Sequence, residues 1–233
     1  MSMSDKGKRA AAAAAVAAGA TLGFAGTAGA ATVPATVSVD RACYVTVGHK
    51  RPPIVVTGSG FPAGDTVDIS DSTGTFITHA PVGPNGTFTA TGAAPYAFLL
   101  KPGERRDTIT ATDFSLDGNE YVGSATTHLT DMLVTAQSRR GRGLSALRMK
   151  TRWAFSGFPE GREIWGHYLY RNKVVVRQEF GRAKGPCGLL SARKPMYPAR
   201  PHHRLYGIQI DARKRYSKHT APRFVSKIGL RVF

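Results

Sequence analysis

The sequence predicts an all-β protein with two tandem β-sandwich domains behind an N-terminal export signal. After residue 31, short runs of β-branched and aromatic residues alternate with turns rich in Gly, Pro, Asn and Asp. A group of turn motifs recurs in the same order in the second half of the chain. No long segment keeps the periodicity of an amphipathic helix, because Pro and Gly interrupt the candidate windows.

The first 30 residues have the three parts of a secretory signal peptide. Lys6, Lys8 and Arg9 form a positive head, and an uncharged, Ala-rich stretch over 10–31 follows it. Positions 28–30 read Ala-Gly-Ala, a small-x-small sequence of the kind that signal peptidase cleaves. Because Ala, Gly and Thr gain little from hydrocarbon, we expect cleavage rather than a permanent anchor. No later segment is long and apolar enough to predict a transmembrane span.

An internal repeat divides the rest of the chain. The first marker, Gly60-Phe61-Pro62-Ala63-Gly64, recurs 97 positions later as Gly157-Phe158-Pro159-Glu160-Gly161. The second, Gly83-Pro84-Asn85-Gly86, recurs 102 positions later as Gly185-Pro186-Cys187-Gly188. The third, Val37-Ser38-Val39, recurs 97 positions later as Val134-Thr135-Ala136. The boundary falls near Thr130 and predicts domains at 31–130 and 131–233. Each is about 100 residues, the size of an immunoglobulin-like sandwich.

Seven strands are predicted in each repeat from short β-rich runs bounded by turn residues. Those of the first repeat are 36–39, 54–59, 66–70, 75–79, 86–91, 107–112 and 120–128. Those of the second are 133–136, 147–156, 163–170, 173–180, 188–192, 205–211 and 223–232. The Gly-Phe-Pro-x-Gly marker is predicted to be a tight strand-to-strand connection. In it Pro fixes φ, Gly adopts a positive φ and Phe plugs the end of the sandwich.

The first repeat resembles secreted bacterial immunoglobulin-like domains of the neocarzinostatin-like type. The resemblance rests on Gly58-Ser59-Gly60-Phe61-Pro62-Ala63-Gly64-Asp65-Thr66-Val67 followed by Gly83-Pro84-Asn85-Gly86-Thr87-Phe88-Thr89. It covers most of 31–130 and, more weakly, 131–233. The chain lacks the paired intradomain cysteines of the chromophore-binding members, so their ligand is not carried over. The resemblance therefore implies a fold rather than an activity.

The positive charge is concentrated in the second repeat. The chain has a formal net charge of +17, of which residues 1–30 contribute +2, residues 31–130 contribute −3 and residues 131–233 contribute +18. Such asymmetry favours an anionic partner for the second repeat. Arg outnumbers Lys there, which suits bidentate contact with phosphate or carboxylate groups.

Two predicted strands of the second repeat place cations at alternating positions, and therefore on one face. These cations are Arg148, Lys150 and Arg152 on the first strand, and Arg171, Lys173 and Arg177 at the start of and along the second. We expect them to contact an anionic cell-wall polymer, an acidic glycan or lipid headgroups, and nucleic acid is also open as a partner. The alternative is a solvated face that has no partner.

The only cysteines are Cys43 and Cys187. Outside the cell they could pair in one intramolecular disulfide, which the sequence alone does not decide. The alternative is two unrelated small apolar residues, one in each repeat.

Motifs for catalysis or cofactor binding find little support. Gly58-Ser59-Gly60-Phe61-Pro62-Ala63 formally fits a dinucleotide fingerprint, but a strand rather than a helix is predicted to follow it. His202-His203 is the only histidine cluster in sequence and has no suitably spaced ligands for zinc. No nucleophile elbow is present. We therefore predict no metal, no cofactor and no enzymatic activity.

These observations predict a secreted or envelope-associated, non-enzymatic protein whose basic second domain contacts an anionic polymer or surface. A module that binds a small ligand in one of its sandwiches is the alternative, and a secreted hydrolase is less favoured. The sequence carries no signal for an oligomeric state.

Overall fold

The computed structural model describes residues 32–114, 118–137, 150–197 and 204–230. All regular secondary structure in these residues is β-strand, so the fold of the described part is all-β. The strands before residue 132 are β1 (Thr32–Pro34), β2 (Thr36–Val39), β3 (Cys43–Thr46), β4 (Pro53–Ser59), β5 (Thr66–Ser70), β6 (Phe76–Pro81), β7 (Thr87–Ala93), β8 (Arg105–Phe114) and β9 (Glu120–Asp131). The later strands are β10 (Leu133–Gln137), β11 (Lys150–Ser156), β12 (Glu163–Tyr170), β13 (Lys173–Arg182), β14 (Leu190–Pro195), β15 (Arg204–Asp211) and β16 (Arg223–Leu230).

Each set of strands forms two sheets, and we call β1–β9 the first half and β10–β16 the second half. In the first half one sheet has the order β1-β9-β8-β5-β6, with β3 also pairing to β9, and the other has the order β2-β4-β7. In the second half the orders are β10-β11-β14 and β13-β12-β15-β16. All fourteen predicted strands have a counterpart here. The short strands β1 and β3, which run parallel to β9, were not predicted.

The two halves repeat one pairing pattern with one register. Val37 lies opposite Gly58 between β2 and β4, and Val134 lies opposite Phe155 between β10 and β11, so both partners are shifted by 97 positions. Gly58 also lies opposite Phe88, and Phe155 lies opposite Leu190. The second partner is now shifted by 102 positions. The offsets of 97 and 102 positions found in the sequence therefore relate residues that occupy equivalent places in the strand pairing of the two halves.

The Gly-Phe-Pro-x-Gly markers connect the two sheets of each half. The first glycine of each marker has a positive φ, 87° at Gly60 and 81° at Gly157, which a residue with a Cβ adopts only under strain. Phe61 and Phe158 are buried, at 4% and 2% exposure, at equivalent positions of the two cores. The prediction that Gly takes positive φ and Phe plugs the sandwich is confirmed.

The core of each half lies between its two sheets. In the first half, Ile54 and Val56 of β4 share one buried cluster with Ile69 of β5 and Ile109 of β8. In the second half, Trp153 and Phe155 of β11 share a cluster with side chains of the facing sheet, namely Ile164, Tyr168, Ile208 and Ile210. The rings of Phe155 and Phe180 lie 4.8 Å apart in a tilted contact. Side chains from both sheets fill these interiors, as in a sandwich.

A disulfide joins the two halves. Cys43 of β3 is bonded to Cys187, 144 positions further along, with their Cα atoms 5.4 Å apart. Cys187 lies in the turn that corresponds to 83–86 of the first half and is fully buried. The Ser156 hydroxyl also donates to the Asp131 carbonyl oxygen at 2.6 Å. These contacts hold β3 and the end of β9 against the second half.

Candidate functional site

Strand β11 presents cations on the outer face of the second half. Lys150 and Arg152 are exposed, whereas the residue that follows each of them, Thr151 and Trp153, is buried. The alternation has the two-residue period of a strand with one face toward the core. The predicted placement of Lys150 and Arg152 on one face is confirmed. Arg148 of the same predicted group lies outside the described residues.

The neighbouring strand adds a third cation to this face. Arg193 of β14 lies directly opposite Arg152 and is also exposed. Like charges at directly opposed positions repel each other, so this pair costs stability unless an anion lies between the two guanidinium groups. We define the junction face as Lys150, Arg152, Lys184 and Arg193, which take part in none of the ion pairs that the described residues form.

A cleft of about 560 Å³ lies where the junction face meets the first half. Pro102 and Gly103 of the first half line it together with Arg152 and Lys184. The other described residues that line it are Ser191, Ala154, Phe155 and the leucines at 189 and 190, and none of these described residues has a carboxylate. This junction cleft can hold an anionic group that two cationic side chains contact.

The second group of predicted cations lies on the opposite sheet. Arg171 occupies the turn between β12 and β13 with a φ of 48°, and Lys173 and Arg177 are exposed along β13. Strand β13 belongs to the sheet β13-β12-β15-β16, whereas β11 belongs to β10-β11-β14. The structure therefore does not bring the five described residues of the two predicted groups together on one face. It places cations on both outer faces of the second half.

The second outer face also carries a cleft, of about 340 Å³. Arg171, Lys227 and Tyr216 line it, together with Gln209 of β15. The adjoining loop over 212–222 adds four exposed cations: Arg213, Lys214, Arg215 and Lys218. Both clefts lie on outer faces of sheets and not between the sheets of a sandwich.

A buried polar cluster that the sequence did not predict holds this loop against the sheet. His167 and Asp211 are both fully buried, and His167 Nε2 lies 3.5 Å from Asp211 Oδ1 and 3.0 Å from the Arg213 carbonyl oxygen. Since both neighbours are acceptors, Nε2 carries a proton. Gln209 Nε2 donates to Asp211 Oδ2 at 2.6 Å and to the Ser217 carbonyl oxygen at 2.8 Å. The cluster ties sheet to loop, and thereby positions the loop cations.

The pKa of Asp211 reflects these contacts. Burial alone would raise the pKa, but hydrogen bonds from His167, Gln209 and the Arg213 amide, and the charge of His167, outweigh burial and lower the pKa below its ordinary value. A carboxyl group with a lowered folded-state pKa stabilises the fold above its unfolded pKa, about 3.9. That stabilisation is lost as the pH falls through the folded-state pKa.

Replacing Asp211 with Asn is expected to lower the free energy of unfolding near neutral pH by about 2 kcal/mol, because the buried network loses its negative charge and one of its two acceptor oxygens becomes an NH2 donor. The variant should also lose less stability than the wild type on acidification below about pH 4. Urea denaturation at neutral and acidic pH checks both, with the exposed Glu160→Gln as the control. Equal acid sensitivity in Asp211→Asn and the wild type would contradict this role.

The described residues contain no group of three or more His, Cys, Asp or Glu side chains that could hold a metal ion. Nor do they include a helix long and apolar enough to cross a membrane. His202 and His203, the pair considered from the sequence, lie outside the described residues.

Comparisons with known proteins give distant structural likenesses. No protein-family model and no curated protein matches the chain. A tetra-tandem repeat from the extending region of a large adhesion protein is similar at a TM-score of 0.35 and 14% identity, over 84% of this chain and 49% of that chain. This chain thus spans about half the length of that structure.

Two further structures are similar at lower scores. The periplasmic chaperone SfaE has a TM-score of 0.27 and 9% identity, over 74% of this chain and 91% of that chain. A marsupial T cell receptor has a TM-score of 0.29 and 8% identity, over 83% of this chain and 100% of that chain. Likenesses at these scores carry no argument about function.

Proposed function

We propose that the chain is a non-enzymatic exported protein with two tandem immunoglobulin-like domains, 31–130 and 131–233, after a signal peptide. Its basic second half binds an anionic polymer or surface of the cell envelope. Export is supported by the sequence of residues 1–30 and by the disulfide between Cys43 and Cys187, since such bonds form and persist in oxidising compartments.

The proposal rests on a difference in charge between equivalent positions of the two halves. Arg152 and Arg193 lie opposite each other on β11 and β14, and their equivalents on β4 and β7 are Val55 and Thr91. The same sheet position is thus neutral in one copy and doubly cationic in the other, so the fold does not require the charge. No ion pair among the described residues offsets the repulsion between these two guanidinium groups, which favours a function in binding anions.

Reversing the charge of this pair is expected to weaken binding to a polyanion. We expect Arg152→Glu/Arg193→Glu to bind inorganic polyphosphate about 10- to 100-fold more weakly than the wild type, because two attractive contacts become repulsive. Isothermal titration calorimetry at low salt measures the affinity. The matched control is Arg41→Glu/Arg106→Glu, which changes the net charge equally at exposed positions of the first half. Equal weakening by the control would mean that net charge, and not the junction face, determines binding.

A further inference from the structure

The loop between β7 and β8 exposes two large apolar side chains beside the junction cleft. Phe98 is 76% exposed and Leu100 is fully exposed, and we call these two residues the apolar tip. A single exposed apolar residue is ordinary on a protein surface. Two of them at alternate positions of one loop form a surface that gains free energy when it leaves water.

The loop is anchored, so the apolar tip has a fixed position. Ala97 is buried at 3% exposure, and Leu99 packs against the core of the first half. The Leu99 amide donates to Asp131 Oδ2 at 2.7 Å, and the Thr130 hydroxyl donates to the Gly103 carbonyl oxygen at 2.6 Å. The alternating inward residues hold the backbone while the tip residues point to solvent. Binding through the tip would therefore require little further ordering.

The backbone at the tip is strained. Phe98 has a φ of 52°, in the left-handed region that bulky residues rarely adopt. Its side chain is mostly in water and adds little to the stability of the fold. Strain retained at an exposed aromatic residue is a feature of binding sites rather than of packing.

Two cations, Arg51 and Lys101, lie close to the apolar tip, and the same loop also carries the exposed Glu104. The Arg51 guanidinium lies 4.7 Å from the centre of the Tyr96 ring, which in turn lies 5.1 Å from the Phe98 ring. Lys101 is exposed directly after Leu100. Two residues further along, Gly103 lines the junction cleft together with Arg152 and Lys184. The loop that carries the tip thus also reaches the junction cleft, where two cationic side chains lie.

We propose that the apolar tip inserts into the interfacial region of a lipid bilayer with anionic headgroups, while Lys101 and the junction face contact those headgroups. This inference rests on the proposed function and names its partner. A hydrated phosphate polymer or glycan would leave Phe98 and Leu100 in water. A bilayer with anionic headgroups offers both an apolar layer and negative charge at its interface.

The test compares vesicles that contain phosphatidylglycerol with vesicles of phosphatidylcholine alone, by cosedimentation of the full mature chain. We expect the wild type to bind the anionic vesicles, and Phe98→Ser/Leu100→Ser to bind them at least about 30-fold more weakly, since two side chains lose their apolar environment. Phe76→Ser is the control, because Phe76 is 58% exposed on β6 and lies outside the tip. It should bind as the wild type does. Unchanged binding by the tip variant would overturn the proposal.

Binding of the same proteins to soluble polyphosphate separates this inference from the proposed function. The tip variant should keep its affinity for polyphosphate, whereas Arg152→Glu/Arg193→Glu should bind both polyphosphate and vesicles more weakly. A wild type that binds polyphosphate but no vesicles overturns the bilayer proposal and leaves the proposed function standing. A wild type that binds neither overturns both.

Self-association is the other use of an apolar tip. Sedimentation equilibrium of the wild type is expected to show a monomer at micromolar concentration. A dimer that Phe98→Ser/Leu100→Ser converts to monomer would mean that a second copy of the chain covers the tip, and would overturn the bilayer proposal.

Discussion

Replacing Cys43 and Cys187 together with serine is expected to lower the free energy of unfolding by about 4 to 5 kcal/mol. The bond closes a loop of 144 positions, and in the chain-entropy model so long a loop restricts the unfolded chain strongly. For a chain of this size the loss corresponds to a decrease in Tm of about 10 °C or more. The effect should appear in thermal unfolding followed by circular dichroism.

The position of the disulfide adds a second expected result. Because the bond connects β3 to a turn of the second half, its loss removes the covalent constraint on how the halves meet. We expect the wild type to unfold in a single transition and the double serine variant in two, one for each sandwich. The wild type under reducing conditions is the control and should behave as the double serine variant does. An unchanged Tm in both would show that the packed junction, and not the bond, holds the halves.

The second large effect is expected from Gly188→Ala. Gly188 has a φ of 60°. A Cβ added to this residue would lie only 1.5 Å from the Phe158 carbonyl oxygen, which is a severe steric clash. The turn over 185–188 would have to move away from the Gly-Phe-Pro-Glu-Gly connection. We expect a loss of about 4 kcal/mol in the free energy of unfolding, measured by urea denaturation. The equivalent Gly86 faces the Phe61 carbonyl oxygen in the same way, at 2.8 Å.

Gly185→Ala is the matched control for this prediction. Gly185 lies in the same turn with a φ of 68°, but a Cβ there would have no heavy atom within 4 Å. Gly185→Ala should lower the free energy of unfolding by only about 1 kcal/mol, the backbone strain of an alanine in the left-handed region. If the two variants lost equal stability, the close approach of the turn to the Phe158 carbonyl would not be what requires glycine.

The positions of the strands could be predicted from the sequence because the information is local. The alternation at Lys150, Thr151, Arg152 and Trp153 indicates which side chains face the core without knowledge of any partner strand. The repeat was also readable from the sequence, although which strands pair was not, and its two offsets are those of paired positions in the structure. The strands β1 and β3 escaped prediction because they are three and four residues long and pair in parallel with the distant β9.

The candidate site was predicted less completely because it depends on which strands share a sheet. Arg152 and Arg177 look equivalent along the chain, yet β11 and β13 belong to different sheets. The pairing of Arg152 with Arg193 and the contact of His167 with Asp211 join residues more than 40 positions apart. No local pattern reveals such contacts. The alternation along β12 places His167 on the same face as Trp165 and Leu169, but does not indicate that Asp211 lies beside it.

The cationic second half is expected to bind an anionic partner through charge. The affinity of the wild type for inorganic polyphosphate, measured over a series of NaCl concentrations, tests this expectation. With four phosphate contacts, the affinity should fall log-linearly with salt, by roughly 50-fold between about 50 and 200 mM. An affinity that does not change with salt, or no binding at the lowest salt concentration, would contradict the account.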